Sequence, residues 1–203
     1  MSEYYENPLC TRYASDEMKR IFSPDEKYSD WRRLWIALAE SEKELGLEIT
    51  DEQINEMKAH VDDIDYERVA VYEGQIRHDV MAHLKAYCDL CPTAKPIIHL
   101  GATSCFVGDN TDVIVMKKGL LRVRTLLLNC IDALAAFADK YKDVATLAYT
   151  HFQAAQPTTV GKRATLWLQD LLFDLENLDY RIENLKLLGC KGTTGTAASF
   201  LTL

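Results

Sequence analysis

Residues 158 to 188 read TTVGKRATLWLQDLLFDLENLDYRIENLKLL, and this run decides the fold. Ala164, Leu168, Leu171, Leu175, Leu178, Ile182 and Leu185 recur at alternating spacings of four and three. That period lays an apolar seam along one side of a helix from about Thr158 to Leu188, the pattern of helices packed at shallow angles in a bundle. Upstream, Met116, Leu120, Val123, Leu127, Ile131, Leu134, Ala138 and Tyr141 predict a second long helix from about Asn110 to Lys142. At 1.5 Å per residue such a rod spans roughly 50 Å, whereas a compact domain of this size has a radius of gyration of only ~17 Å. Extra apolar residues flank each seam (Leu121, Leu128, Trp167, Leu172) and also need partners. Rods that their own chain cannot cover imply a homo-oligomer.

Towards the N-terminus the elements shorten. Trp31, Leu34, Trp35, Leu38 and Leu45 share one face of a helix from about Asp30 to Leu45, with Gly46 as its stop. Thr50-Asp-Glu-Gln53 is a capping-box pattern opening a helix to about His60. A further helical segment runs from about Asp65 to Cys88, and a Gly-, Pro-, Thr- and Ser-rich loop fills Cys91 to Asp109. Strand signals are weak and short. The class is therefore all-α, with an N-terminal helical domain over 1–109 and long bundle helices over 110–203.

Composition agrees. The 203 residues include only 9 Gly and 5 Pro, few turn formers for a chain of this length. A formal net charge of −8, with no basic run anywhere, excludes the electrostatic footprint of a nucleic-acid binder. No apolar stretch approaches the ~20 residues that span a bilayer, so no membrane partner is expected. The N-terminus, MSEYYENPLCTRYAS, has no apolar core of a signal peptide. Six scattered cysteines read as reduced thiols of a cytoplasmic protein. Cys88-Asp-Leu-Cys91 is a single CxxC at a helix end, without the further ligands a structural zinc needs.

Reactive residues gather in three polar segments. Arg77-His-Asp79 lies in or ends a helix. His78 and His83 are five apart, about 140° around a helix, so they do not form a zinc pair; no metal site is expected. His99-Leu-Gly-Ala-Thr-Ser-Cys-Phe-Val-Gly-Asp-Asn110 sets Thr103 and Ser104 just before a long helix, where hydroxyls and free N–H groups suit a carboxylate or phosphate. Tyr149-Thr-His-Phe-Gln-Ala-Ala-Gln-Pro-Thr-Thr-Val160 joins the two rods. Its His151 sits in a polar break open to a cleft, and its Pro157 fits the first turn of the following helix. Histidines in two such segments point to general acid–base catalysis.

Several of these segments resemble a known family. Thr150-His151-x-Gln153-x-Ala155-x-Pro157-Thr-Thr is similar to the second signature of the fumarase/aspartase superfamily, and Gly101-Ala-Thr-Ser104 with Asp109-Asn110 to the first. Within it, Thr11-Arg-Tyr-Ala-Ser15, Arg77-His-Asp-Val-Met-Ala-His83, Ile98-His-Leu-Gly-Ala-Thr-Ser104, Thr159-Val-Gly-Lys-Arg163 and Lys191-Gly-Thr-Thr-Gly-Thr196 resemble the adenylosuccinate lyase family of the animal-like type.

The resemblance implies a carbon–nitrogen lyase of purine biosynthesis. It would release fumarate by β-elimination from adenylosuccinate, giving AMP, and from the succinyl-carboxamide ribotide, with no metal or organic cofactor. It further implies a homotetramer with a central helical bundle and sites built from three subunits. His151 becomes the general acid and His78 a second site histidine that orients substrate or assists it. Arg77 and Asp79 flank His78. Arg12 and Tyr13 match a phosphate-binding pair, and Thr103 and Ser104 would hold a succinyl carboxylate. Ala154 and Ala197 depart from the Pro and Gln common in the animal-type sequences, and Ala197 bears on contacts of the 191–196 loop. The family also continues well past position 203, with a mobile loop carrying a serine base; the expectation is an N-terminal portion, inactive alone. Two other readings stay open: a different superfamily lyase, such as one acting on argininosuccinate, and a non-catalytic oligomeric scaffold.

Overall fold

The computed structural model describes residues 5–203. It is 64% helical, with one small sheet. The order is α1 (Asp16–Ile21), α2 (Pro24–Glu44), α3 (Asp51–Ala59), α4 (Tyr66–Ile76), α5 (Asp79–Leu90), α6 (Ser104–Lys140), β1 (Ala145–Thr150), β2 (Gln153–Thr159) and α7 (Val160–Asn184), preceded by one π-helical turn at Leu9–Tyr13. The chain divides into two compact units. One comprises the residues up to Met116 together with Lys186–Leu203, and the other is Lys117–Leu185.

In the first unit the core forms around one face of α2. Trp31, Trp35 and Ala39 pack with Ile54 and Met57 of α3 and Val80, Leu84 and Tyr87 of α5. The Trp35 and Tyr87 rings stack at 6.0 Å, and the Tyr87 hydroxyl donates to the Met57 carbonyl at 2.6 Å. Arg32 is buried but satisfied: its guanidinium lies 4.4 Å over the Tyr87 ring and donates to the carbonyls of His60 and Asp63. This helix starts well before the expected Asp30. Ser23 caps it by accepting from the Glu26 N–H, and Pro24 occupies the first turn. Its first turns carry Asp25, Glu26 and Lys27, so apolar periodicity does not reveal them. The Thr50–Gln53 capping box forms with both of its hydrogen bonds.

The segment from Asp65 to Cys88 is two helices, not one. Arg77 takes left-handed backbone angles (φ 52°) and ends α4, and His78 caps α5.

The second unit holds most of α6, the hairpin and α7. At 1.5 Å per residue the 37 residues of α6 extend about 55 Å. The helices run antiparallel, with Arg124 in a bidentate pair with Asp179 (2.5 and 3.2 Å). The α7 seam is its more buried stripe, with Ala164 and Ile182 buried, while Trp167 and Phe173 beside it are 59% and 54% exposed. The polar joint between the rods is a two-stranded antiparallel hairpin, which corrects the expectation for Pro157. It pairs with Leu147 on β2, where an edge tolerates a residue without an N–H, and α7 begins only at Val160 with Thr159 as its cap. A bulge falls between Leu147 and Tyr149 in the register.

At the hairpin base two main chains meet. The Gly161 N–H donates to the Tyr141 carbonyl and the Val160 N–H to the Val144 carbonyl, both at 2.9 Å. A Cβ on Gly161 would lie 2.2 Å from the Ala138 carbonyl oxygen and 2.7 Å from the Lys142 Cα. Backbone cannot give way as a side chain can. Gly161→Ala is therefore expected to lower stability by about 1–3 kcal/mol in denaturant melts. Gly108→Ala, inside α6 with open space around it, should be neutral or gain up to ~1 kcal/mol.

A second test concerns Glu42. It is buried on α2 with no hydrogen-bond partner at either carboxylate oxygen, and burial pushes its carboxyl up to about 7. The folded chain therefore holds a proton that the unfolded chain releases from pH 4.5 upward. Stability from this group is complete below that value and lost as pH rises towards 7. Glu42→Gln should gain on the parent as pH is raised from 4.5 to 8. A difference independent of pH would contradict the assignment.

Candidate active site

Arg12 and Tyr13 close the π-helical turn, fixed by the Ala14 N–H reaching back to the Leu9 carbonyl at 2.7 Å. Both are exposed, and the guanidinium lies 5.5 Å from the Tyr13 ring centroid. A flat cation held on an aromatic ring, with its fork open to solvent, can take two oxygens of a phosphate.

The break between α4 and α5 shapes the second group. A left-handed residue at Arg77 turns the chain, so His78 lies outside both helices with its ring exposed. Its Nδ1 accepts from the Met81 N–H at 3.4 Å, which leaves Nε2 to face outward. The Asp79 carboxylate sits in the first turn of α5, accepts from the Val80 N–H at 2.7 Å and lies 3.7 Å from His78 Nδ1. His83, one turn on, belongs to the core. It stacks on Tyr28 at 3.7 Å and meets Trp31 edge-on.

The third group centres on the start of α6, which begins at Ser104, ahead of the expected Asn110. Thr103 and Ser104 are half-buried there. Thr103 lines a cleft of ≈ 210 Å³ together with Asp109, Lys191, Gly192 and Thr193, so the 191–196 segment and the first signature face one space. Asn110 holds that segment in place. Fully buried, it donates to the Phe106 and Gly189 carbonyls (2.7 and 2.9 Å) and accepts from the Gly189 N–H (3.1 Å). Its side-chain amide thus treats Gly189 as a strand partner would.

His99 adjoins both of these groups and was not among the expected site residues. Its Nδ1 accepts from the Trp35 indole N–H at 2.9 Å. Burial, and then the charge of nearby His78, hold its ring below the usual histidine range. Nothing in the sequence marks this pair, which is 64 residues apart.

In the second unit His151 and Phe152 form the two-residue turn of the hairpin, between the paired Thr150 and Gln153. Both have positive φ (50° and 63°), the sign that tight hairpin turns require. His151 is exposed at the tip, free to meet a ligand. Below it, Thr150, Thr158, Lys162 and Arg163 line a cleft of ≈ 410 Å³, and Arg163 donates to the Leu147 carbonyl at 3.0 Å. Among the described residues no three His, Cys, Asp or Glu gather as a metal would need.

The lyase family profile matches residues 12–201. The chain is 54% identical over 203 residues to an adenylosuccinate lyase of Schistosoma mansoni, covering 99% of this chain and 42% of the relative. It is 52% identical over 202 residues to the adenylosuccinate lyase of Saccharomyces cerevisiae, covering 98% and 42%. It thus spans somewhat under half the length of these curated relatives. In fold it is similar to the crystal structure of 3-carboxy-cis,cis-muconate lactonizing enzyme from Pseudomonas putida, with a TM-score of 0.82 at 23% identity over 97% of this chain and 46% of that one. The fumarate lyase from Mesorhizobium sp. BNC1 gives 0.81 at 24% identity over 92% and 44%.

One prediction separates the buried histidine from the exposed ones. Burial, reinforced by the Arg32 charge, pushes the His83 ring down to about 4. Its NMR shifts should stay those of the neutral form until pH nears 4, and a transition near 6.5 would contradict its core placement. The unfolded chain takes up this proton first, so the stability the neutral ring contributes is present above about 6.5 and lost as pH falls towards 4.

Proposed function

Because the chain belongs to the lyase family, we propose that it serves as an adenylosuccinate lyase of AMP and purine biosynthesis, eliminating fumarate from adenylosuccinate and from the succinyl-carboxamide ribotide. The observation that carries this reading is the 54% identity running over 99% of the chain. In the proposed reaction a base takes the proton from the succinyl carbon next to a carboxylate. Charge moves into that carboxylate, the carbon–nitrogen bond breaks, and an acid protonates the departing nitrogen. Every step is proton transfer plus charge stabilisation, which needs no metal or organic cofactor.

His151 is proposed as the acid. An exposed imidazole on a rigid two-residue turn suits a group that must meet a ligand at a set angle. His78, flanked by Arg77 and Asp79, orients the substrate through its outward Nε2. Arg12 and Tyr13 take the phosphate. Thr103 and Ser104 take a succinyl carboxylate at the start of α6, where N–H groups and the helix dipole favour an anion. The base is assigned to no residue of this chain.

A homo-oligomer, as a tetramer, belongs to the same reading. Leu121, Leu126, Trp167 and Phe173 leave apolar surface exposed along both long helices, and copies of the chain would cover it and bring their site residues to a shared substrate. A cytoplasmic setting fits six free cysteines. No helix is long and apolar enough to cross a membrane among the described residues.

The test is fumarate release from adenylosuccinate by the product of the complete gene. Elimination is expected, and His151→Ala should lower kcat by about 10²–10⁴-fold, the range for losing a general acid. Activity surviving that substitution would refute the acid role, and no fumarate from the parent would refute the lyase reading.

A further inference from the structure

The chain after α7 returns to the first unit and meets the segment around the start of α6 at two places. At one, the buried Asn110 side chain donates to the Gly189 carbonyl and accepts from the Gly189 N–H (2.9 and 3.1 Å). At the other, the Ser199 hydroxyl donates to the Gly101 carbonyl at 2.8 Å. These partners are 79 and 98 residues apart in sequence. Phe200 and Leu203 close over Gly101, where φ is 64° and a Cβ would come within 2.8 Å of both side chains. Residues 102–109 and 190–198 are therefore held between two clasps and face each other in antiparallel sense.

The two sides differ in charge. The 102–109 side offers the Thr103 and Ser104 hydroxyls, at the N-terminus of a 37-residue helix, and one acid, Asp109. The 190–198 side offers Lys191, exposed and followed by a tight turn. In that turn the Gly192 N–H donates to the Thr196 carbonyl at 2.6 Å and the Gly195 N–H to the Gly192 carbonyl at 2.9 Å. Lys191 lines the same cleft of ≈ 210 Å³ as Thr103 and Asp109 and is the cation among its lining residues. It has no carboxylate partner among the described residues. The space is smaller than the roughly 300–1,000 Å³ of sites that enclose a whole small molecule, so it takes the charged end of a ligand and not its body. Hydroxyls and a helix N-terminus attract an anion through partial charges only, and Asp109 opposes one. The full charge of Lys191 reverses that balance.

We propose that Lys191 is a further substrate-binding residue, whose ammonium group meets the succinyl carboxylate from the 190–198 side of the cleft, opposite Thr103 and Ser104. Asn110 and Ser199 are positioning residues that keep it there. The clasped arrangement is independent of any reaction; the identity of the anion rests on the lyase reading.

Steady-state kinetics on the product of the complete gene test this, because one product carries the carboxylates and the other does not. Lys191→Met should raise the KM for adenylosuccinate and the inhibition constant of fumarate about 10- to 100-fold, the effect of losing one hydrogen bond to a charged group. The inhibition constant of AMP should not move, and kcat should change less than KM. Unchanged constants for adenylosuccinate and fumarate overturn the proposal, as does an equal rise for AMP, which would mark general damage to the site. Asn110→Ala should raise the same two constants, and combining it with Lys191→Met should add little to Lys191→Met alone. Effects that simply add would overturn the positioning role. Should Asn110→Ala fail to fold, Ser199→Ala, at an exposed position, takes its place in that cycle. A parent that releases no fumarate overturns the lyase reading and removes the succinyl ligand with it, whereas a working parent indifferent to Lys191→Met overturns only the binding role of Lys191.

Discussion

The second unit depends on one close contact between main chains. Gly161 brings the first turn of α7 against the last turn of α6, its N–H bonded to the Tyr141 carbonyl, with no room for a side chain. This contact sets where the hairpin leaves α6 and where it returns. Once the base is closed, the register from Ala145↔Thr159 to Thr150↔Gln153 leaves just His151 and Phe152 to make the turn. Both then adopt positive φ, which costs of order 1–3 kcal/mol for such residues. A tip of Asn-Gly would avoid that strain. A histidine in such a strained tip, held by the structure below it, is what a functional turn would show.

The first unit is organised differently, by burial rather than by a main-chain clasp. Trp31, Trp35 and Tyr87 fill the space between α2, α3 and α5, and the polar groups carried inward with them are mostly satisfied. Arg32 finds carbonyls, Asn110 finds Gly189, and Trp35 finds His99. The Asn110 bonds hold Gly189 at the cleft lined by Thr103, Asp109 and Lys191, so part of the interior that stabilises this unit also orients the rim of that cleft. Glu42, a buried carboxyl without a partner at either oxygen, and the Trp31 indole nitrogen are among the exceptions.

The long helices were legible because a heptad seam announces itself in one dimension, and the capping box at Thr50 because it is purely local. Local patterns failed where the cause was tertiary. The break at Arg77 has no Gly or Pro to mark it, since it comes from a left-handed arginine ahead of a histidine cap. The hairpin was hidden because residues 145–159 hold few β-branched residues on alternating positions and include Pro157. The start of α6 was hidden by Gly108 and Asp109, which read as loop formers. Of the site, the polar segments around 78, 103 and 151 stood out as interruptions of apolar runs, while their chemical roles came only through family resemblance. His99 could not be singled out, because its significance lies in an indole 64 residues away.

The central claim is that His151 delivers a proton to the nitrogen that leaves the succinyl carbon. A crystal structure of the complete gene product with adenylosuccinate bound to a slowed variant would test it most directly. The account predicts a His151 ring nitrogen within about 3.2 Å of the substrate nitrogen that bears the succinyl group. A His151 ring directed elsewhere, with another side chain at that nitrogen, would contradict it.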